Sequence, residues 1–349
     1  MCKTQSSKNN VIIASAGSGK TTDIVKQALL LKDKKVLITT YTNENLAQIN
    51  SYLVKINGFI PNNIKILSWY SFLLQDGVRP YQSLLTNHER INSIFFEAIP
   101  NICKFVKKSN LNKYYFTKGN YIYRDRVTDF VCLSDDKTKG LIIKRLECIY
   151  DYIFIDELQD FAGYDLTFLE KLFNSTISII AVCDPRQATF TTNISSTKKQ
   201  YKKYNISGWI LKIQKCQMIS VSTKNECHRC NQSICDFADS LFPQLPKTKS
   251  KNTKNTGHDG VFTISKKDVA NYYKTHNPTV LRYNKSTDTL NYPAINIGLS
   301  KGRTYDRVLI FPTKPMIEYL NSKDISKAGD ISKLYVAITR AKYSVAFVI

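Results

Sequence analysis

Nowhere does this chain carry an apolar run approaching the roughly 20 residues that a bilayer-spanning helix needs, and its opening segment, Met1–Asn10, is polar. No membrane or targeting segment is therefore expected, and a cytoplasmic protein is. No internal repeat is visible, so a repeat architecture is not expected either. Acidic residues are scarce. Twenty-eight Asp and Glu stand against 50 Lys and Arg, a net charge of +22, which is the electrostatic footprint of a nucleic-acid partner. An AT-rich genome would explain abundant Lys, Asn, Ile and Tyr, but it should raise Asp and Glu as well. The nine cysteines lack the spacing of a disulfide framework, which points to a reducing compartment. Cys227-His-Arg-Cys230, with Cys235 nearby, invites a zinc reading, but no second ligand pair follows at finger-like spacing.

What is present is more specific. The apolar run Val11–Ile13 leads into Ala14-Ser-Ala-Gly-Ser-Gly-Lys20-Thr21-Thr22 and then into the helix-compatible stretch Asp23–Leu31. Strand, Gly-rich turn and helix in that order make a phosphate-binding loop. Ala14, Ser15, Ala16, Gly17, Ser18 and Gly19 would cradle the phosphates of ATP, with the two glycines letting backbone N–H groups converge. Lys20 would reach the β- and γ-phosphates, Thr21 would place a hydroxyl on Mg²⁺, and Thr22 would follow at the helix N-terminus, whose partial positive charge favours anions. Ala14 departs from the strict pattern, which has Gly there.

A second carboxylate site is expected with such a loop. Tyr152–Ile155 reads as a buried strand with Asp156 and Glu157 at its C-terminal end, where open α/β sheets place ligands. Asp156 would hold Mg²⁺, and Glu157 would polarise the attacking water. A further strand, Ile177–Cys183, ends at Asp184, with Gln187 placed to sense the γ-phosphate.

Together these segments resemble the UvrD/Rep-like superfamily 1 helicases, nearly end to end and in motif order. Thr39-Thr-Tyr-Thr-Asn43 is similar to the family's TFTN element, and Leu67-Ser-Trp-Tyr-Ser-Phe72 to its next strand-contacting motif. Phe154-Ile-Asp-Glu-Leu-Gln-Asp160 resembles the DEAQD box and Cys183-Asp-Pro-Arg-Gln187 the GDxxQ segment. Cys227–Cys230 sits where the family has NYRS, Ser300-Lys-Gly302 matches SKG, and Tyr335-Val-Ala-Ile-Thr-Arg340-Ala-Lys342 is close to YVAxTRA.

The resemblance implies an α/β fold of two RecA-like P-loop NTPase domains with a small insertion in the first. The motif positions put the first domain, which binds ATP, at residues 1–78 and 146–200, the insertion at 79–145 and the second domain at 201–349. In the insertion, Tyr114, Tyr115, Phe116, Lys118, Tyr121, Tyr123, Arg124 and Arg126 suit either a nucleic-acid or partner surface or a tyrosine-rich core. Strands are expected at Val261–Ile264, Thr279–Leu281, Val308–Phe311 and Ser344–Ile349, and helices at Gln232–Leu241 and Lys333–Ala341. Pro246–Gly260 reads as a mobile, solvated loop.

The same resemblance implies roles for single residues. Arg229 and Arg340 would reach the γ-phosphate across the domain cleft, His228 would stack on adenine, and Gly302 belongs to the nucleotide-binding set. Tyr41, Thr42, Asn43, Tyr70 and Phe190 would grip single-stranded DNA. There are departures. The family's adenine-reading glutamine has no counterpart in register, since Gln5 lies too close to Lys20. Thr192 replaces a DNA-stacking Trp, and Thr304 replaces a ribose-binding Glu. Two functions remain open. One is an ATP-dependent single-stranded-DNA translocase or helicase. The other is a regulatory ATPase that controls a partner nuclease, as in the anti-phage Gabija systems.

Overall fold

The computed structural model describes residues 8–87, 89–193 and 195–349, so Gln5 lies outside the described residues. The chain forms two compact units. The first comprises the described residues up to Ile12 with Thr21–Cys183 and Phe190–Ser222, and the second comprises Ile13–Lys20, Asp184–Thr189 and Thr223–Ile349. Each is α/β, and the two are RecA-like domains. No helix among the described residues is long and apolar enough to cross a membrane.

The six-stranded sheet of the first unit runs in the order Ile64–Ser68, Val36–Thr40, Tyr152–Ile155, Ser178–Cys183, Asn10–Ala14, Ser220–Lys224. The pairings of Val36–Thr40 with Ile64–Ser68 and Tyr152–Ile155, and of Tyr152–Ile155 with Ser178–Cys183, are parallel. Strands covered on both faces need apolar side chains at consecutive positions, and Val36–Thr40 is buried along its whole length. Ile24, Val25 and Ala28 of helix Lys20–Leu30 and Ile49 and Leu53 of helix Asn43–Asn57 share one core with Val36, Ile38 and Phe154. Helix Asn43–Asn57 starts where the Thr42 side chain accepts from Asn45 N, and it stops at Gly58, whose φ of 84° suits a residue without Cβ.

Within 79–145 the tyrosine-rich reading is the one the packing follows. Tyr115, Phe116 and Tyr123 are buried, and the Tyr115 and Phe130 rings meet edge to face with centroids 5.2 Å apart. Arg126 is buried too, with its guanidinium 3.9 Å from the centre of the Tyr114 ring. Lys118 and Tyr121 remain exposed.

In the second unit five strands pair in parallel in the order Gly260–Ile264, Ala341–Val348, Tyr305–Phe311, Thr279–Arg282, Ala294–Asn296. Side chains alternate between faces along a strand. Accordingly Val308 and Ile310 join one core with helices Gln232–Asp239, Lys314–Ser322 and Ile331–Ile338, while Leu309 and Phe311 join another with helix Val269–His276. The helix expected at Lys333–Ala341 starts and ends earlier, at Ile331–Ile338, because Asp330 caps it by accepting from Lys333 N. Ala341 already belongs to the last strand. The segment expected as a solvated loop is tied down instead. Lys249–Ser250 pairs with Glu226–Cys227, and the Asn252 side chain donates to Arg229 O at 2.7 Å.

Candidate active site

The phosphate loop follows the strand Asn10–Ala14 and opens the helix Lys20–Leu30. Gly17 and Gly19 take φ of 73° and 81°, a backbone region closed to most side chains. At Gly17 space is also lacking, since a Cβ there would lie 2.7 Å from Arg229 Cβ and 2.8 Å from Cys227 Sγ. Ser15 N donates to Lys224 O at 3.0 Å, and His228 N donates to Gly17 O at 2.9 Å, which ties the loop to the rest of its own unit. Lys20 is nearly buried; its Nζ lies 3.4 Å from Ala14 O and 4.0 Å from Asp184 Oδ2. The Oγ atoms of Ser15 and Ser18 are buried without a hydrogen-bond partner. A buried hydroxyl left unpaired costs about 1–3 kcal/mol, so two such donors on one Gly-rich loop mark where an anion would be received.

Asp184 organises what faces that loop within the second unit. Arg186 Nε donates to its Oδ1 at 2.8 Å, while Gln187 Nε2 at 2.8 Å and the Tyr335 hydroxyl at 3.3 Å donate to its Oδ2. Burial alone would raise the Asp184 carboxyl, but Arg186 and Lys20 outweigh it and hold the group below the usual carboxylate range. Arg186 Nη1 continues the chain to Asp239 Oδ1 at 3.1 Å. Tyr335 reaches the loop as well, its hydroxyl oxygen 3.4 Å from Ala16 N as acceptor.

Both arginines singled out in the sequence belong to this unit. Arg340 is buried, donating to Gln187 Oε1 at 3.2 Å, Val336 O at 3.1 Å and Arg303 O at 3.3 Å. Arg229 Nη1 donates to Thr339 O at 3.0 Å, one residue before Arg340. His228 and Gly302 are exposed, and Gly302 has a φ of 83°.

In the first unit the hydroxyl of Thr21 donates to Asp156 Oδ2 at 2.8 Å. Glu157 follows with a φ of 60°, its N–H donating to Asp156 Oδ1 at 3.0 Å and its carboxylate accepting from the Gln159 amide. A left-handed residue without a Gly is a strained choice that recurs at functional sites. Magnesium binds few protein ligands, commonly one or two carboxylates beside substrate phosphates. A hydroxyl and a carboxylate already within hydrogen-bond distance fit that ion. Among the described residues no group of three or more His, Cys, Asp or Glu is arranged as a metal site.

The strand-gripping candidates are placed differently from one another. Phe190 and Asn43 are exposed and Tyr41 is half-buried. Thr42 spends its side chain on capping, as described above. Tyr70 is buried, with its ring 5.6 Å from that of Tyr41 and its hydroxyl donated to Thr192 O at 2.7 Å. Thr192 itself is internal, donating to Asp165 Oδ2 at 2.5 Å and accepting from Ala162 N. Asp165 also accepts from Trp69 Nε1 at 2.9 Å and from Thr128. Sequence reasoning did not single out Asp165, Asp239, Arg186 or Tyr335 as site groups. Only the last two had a signal, since they lie inside the segments Cys183–Gln187 and Tyr335–Lys342.

Residues 116–349 match the viral superfamily 1 RNA helicase core domain family, and residues 2–146 match the UvrD/REP helicase N-terminal domain family. Among solved structures, the Arterivirus nonstructural protein 10 helicase aligns with a TM-score of 0.52 at 13% identity, over 98% of this chain and 60% of its own. The same Arterivirus helicase in complex with DNA aligns with a TM-score of 0.51 at 13% identity, over 98% and 61%. The chain thus spans about three-fifths of the length of these helicases, and at such identity the likeness is one of fold. No curated protein matches it.

Proposed function

This chain belongs to the superfamily 1 helicases, and from that membership we propose that it is an ATP-driven translocase on single-stranded DNA of the UvrD type. The observation that carries the nucleotide half is the pair of unpartnered, buried hydroxyls of Ser15 and Ser18 on the loop that also presents Lys20. In this reading the loop amides and Lys20 hold the phosphates, and Thr21 and Asp156 hold Mg²⁺. The ion would neutralise charge on the phosphate oxygens. Glu157, next to Asp156, orients and polarises the attacking water. Gln187 and Arg340, already hydrogen-bonded to each other, act together at the γ-phosphate, and Arg229 adds a second guanidinium whose planar fork suits a phosphoryl group. His228 stacks on the base.

Net charge draws the strand in, and Tyr41 and Phe190 provide ring faces for its bases. Asn43 contributes a phosphate contact, with Thr42 and Tyr70 supporting the loop and the ring behind it. A strand-displacement assay on single-strand-tailed duplexes, run with and without ATP, tests the reading. ATP-dependent release of the displaced strand is expected, and release independent of ATP would count against it.

One observation favours the second reading, a regulatory ATPase that controls a partner nuclease in phage defence. Thr192, where the family has a stacking Trp, is consumed by internal hydrogen bonds, and so is the Tyr70 hydroxyl. Hydrolysis stimulated by single strands, but with no movement along them, would select that reading.

A further inference from the structure

The second unit holds three thiols that nucleotide chemistry does not use. Cys227, Cys230 and Cys235 are free and buried. Cys227 ends the two-residue strand Glu226–Cys227. Cys230 precedes Asn231, the N-cap of helix Gln232–Asp239, and Cys235 lies one turn into that helix. Cys230 N donates to the sulfur of Cys227 at 3.3 Å, while the Cys230 thiol donates to Thr339 O at 3.6 Å and the Cys235 thiol to Cys230 O at 3.9 Å. The neighbouring Cys230 and Cys235, with the backbone N–H groups of Cys230 and Arg229, hold the Cys227 thiol far below its ordinary range. The Cys230 and Cys235 thiols, engaged with Cys227, are pushed up in return. One sulfur disposed to be a thiolate beside a protonated one is the arrangement of a peroxide-reactive cysteine and its resolving partner.

We propose that Cys227 and Cys230 are a redox modification site, and that their reversible disulfide shuts down the nucleotide site. The bridge would close over His228 and Arg229, so this rests on the nucleotide reading given above. The chemistry balances with hydrogen peroxide as oxidant. The Cys227 thiolate attacks one peroxide oxygen, giving a sulfenic acid and releasing hydroxide, which takes up a proton to become water. The Cys230 sulfur then displaces the sulfenic oxygen, which leaves as a second water once the Cys230 proton is passed on. Two thiols are oxidised and one peroxide is reduced.

The geometry ties that step to phosphate binding. Cys227 Sγ and Arg229 Cβ both crowd Gly17, and His228 N is bonded to Gly17 O. Drawing the two sulfurs to a bond length of about 2.05 Å takes the Cys230 thiol from Thr339 O and must reshape this turn. It thereby shifts Arg229 from its hydrogen bond with Thr339 O and shifts the loop carbonyl from His228. Entry for a small oxidant requires local opening of the short strand holding Cys227, which is held by its pairing with Lys249–Ser250 and by Lys251 N donating to Cys227 O at 2.7 Å.

The test uses the full chain, reduced and then treated with peroxide. Differential alkylation with peptide mass mapping reads the thiols, and ATP turnover is measured on the same samples. The expected result is a Cys227–Cys230 linkage two hydrogens lighter than the thiols, with turnover falling at least about tenfold, as for a misplaced positioning group, and returning with dithiothreitol. Cys227→Ala, compared with its own untreated rate, should resist peroxide, and Cys230→Ala should lose the linkage even if the first variant folds poorly. Both sulfurs staying alkylatable in the treated wild type would overturn the proposal. So would equal peroxide loss in Cys227→Ala, or stoichiometric zinc released from the thiols. A reduced chain inactive on ATP would count against the nucleotide reading instead, because the alkylation map judges the disulfide independently.

Discussion

Thr21 and Asp156, 135 positions apart in the chain, meet at 2.8 Å, hydroxyl to carboxylate. That contact joins the first turn of helix Lys20–Leu30 to the end of strand Tyr152–Ile155. It gathers two oxygen donors suited to one divalent ion, and it gives the proposed hydrolysis its most direct tests.

Asp156→Asn should raise the Mg²⁺ concentration needed for half-maximal turnover far more than it weakens nucleotide binding, because a carboxylate donor becomes a neutral amide. Lys20→Ala and Glu157→Gln should both abolish turnover but differ in affinity. Lys20→Ala removes a phosphate counter-charge and should bind a fluorescent ATP analogue poorly. Glu157→Gln removes only water activation and should bind it normally. Equal loss of affinity in the two variants would refute this division of roles.

Arg340→Ala should lower kcat by about 10³-fold or more with a modest change in KM, since its charge matters most in the transition state. Arg340 is also buried among carbonyls, so a folding defect has to be separated from a catalytic one. Arg340→Lys keeps the charge but lacks the planar fork that reaches Gln187, Val336 and Arg303 together. It should fold and still hydrolyse slowly. Full activity in a folded Arg340→Ala protein would remove this residue from the mechanism.

Binding of a labelled single strand should weaken steeply with salt, each neutralised phosphate releasing counterions. Tyr41→Ala and Phe190→Ala should each lose about 1–3 kcal/mol of binding, while the slope of affinity against salt stays nearly intact. Fluorescence anisotropy across a salt series measures both quantities. A flattened slope in either variant would mean that these rings support charged contacts rather than stack on bases.

Asp184 predicts how stability responds to acid. Although burial pushes its carboxyl up, Arg186 and Lys20 hold the folded-state value below the unfolded one. Its contribution is therefore fully present above the unfolded value of about 3.9, and it is lost as pH falls through the lower folded value. Arg186→Met leaves Asp184 and Asp239 without their shared cation, which for a buried pair costs about 3–5 kcal/mol. Circular dichroism during acid titration should show this variant unfolding at a higher pH than the wild type. Coincident titrations would place Arg186 outside the stabilising network.

The sequence by itself determined the elements that chemistry stands on. Gly17, Gly19 and Lys20 announce a phosphate loop because few other residue types permit its backbone. Tyr152–Ile155 announces a buried strand because parallel strands need apolar side chains on both faces. Charge and motif order were equally local properties. Partners were not. That Tyr335 touches Ala16 and Asp184, that Arg186 bridges Asp184 and Asp239, and that Thr192 is turned inward onto Asp165 depend on residues brought together from distant positions. Spacing along the chain carries no record of such pairings. Even the tyrosines of residues 79–145 fit a surface or a core equally well as sequence. Only tertiary packing, which encloses Tyr115 and Tyr123 and leaves Tyr121 in solvent, decided which they were.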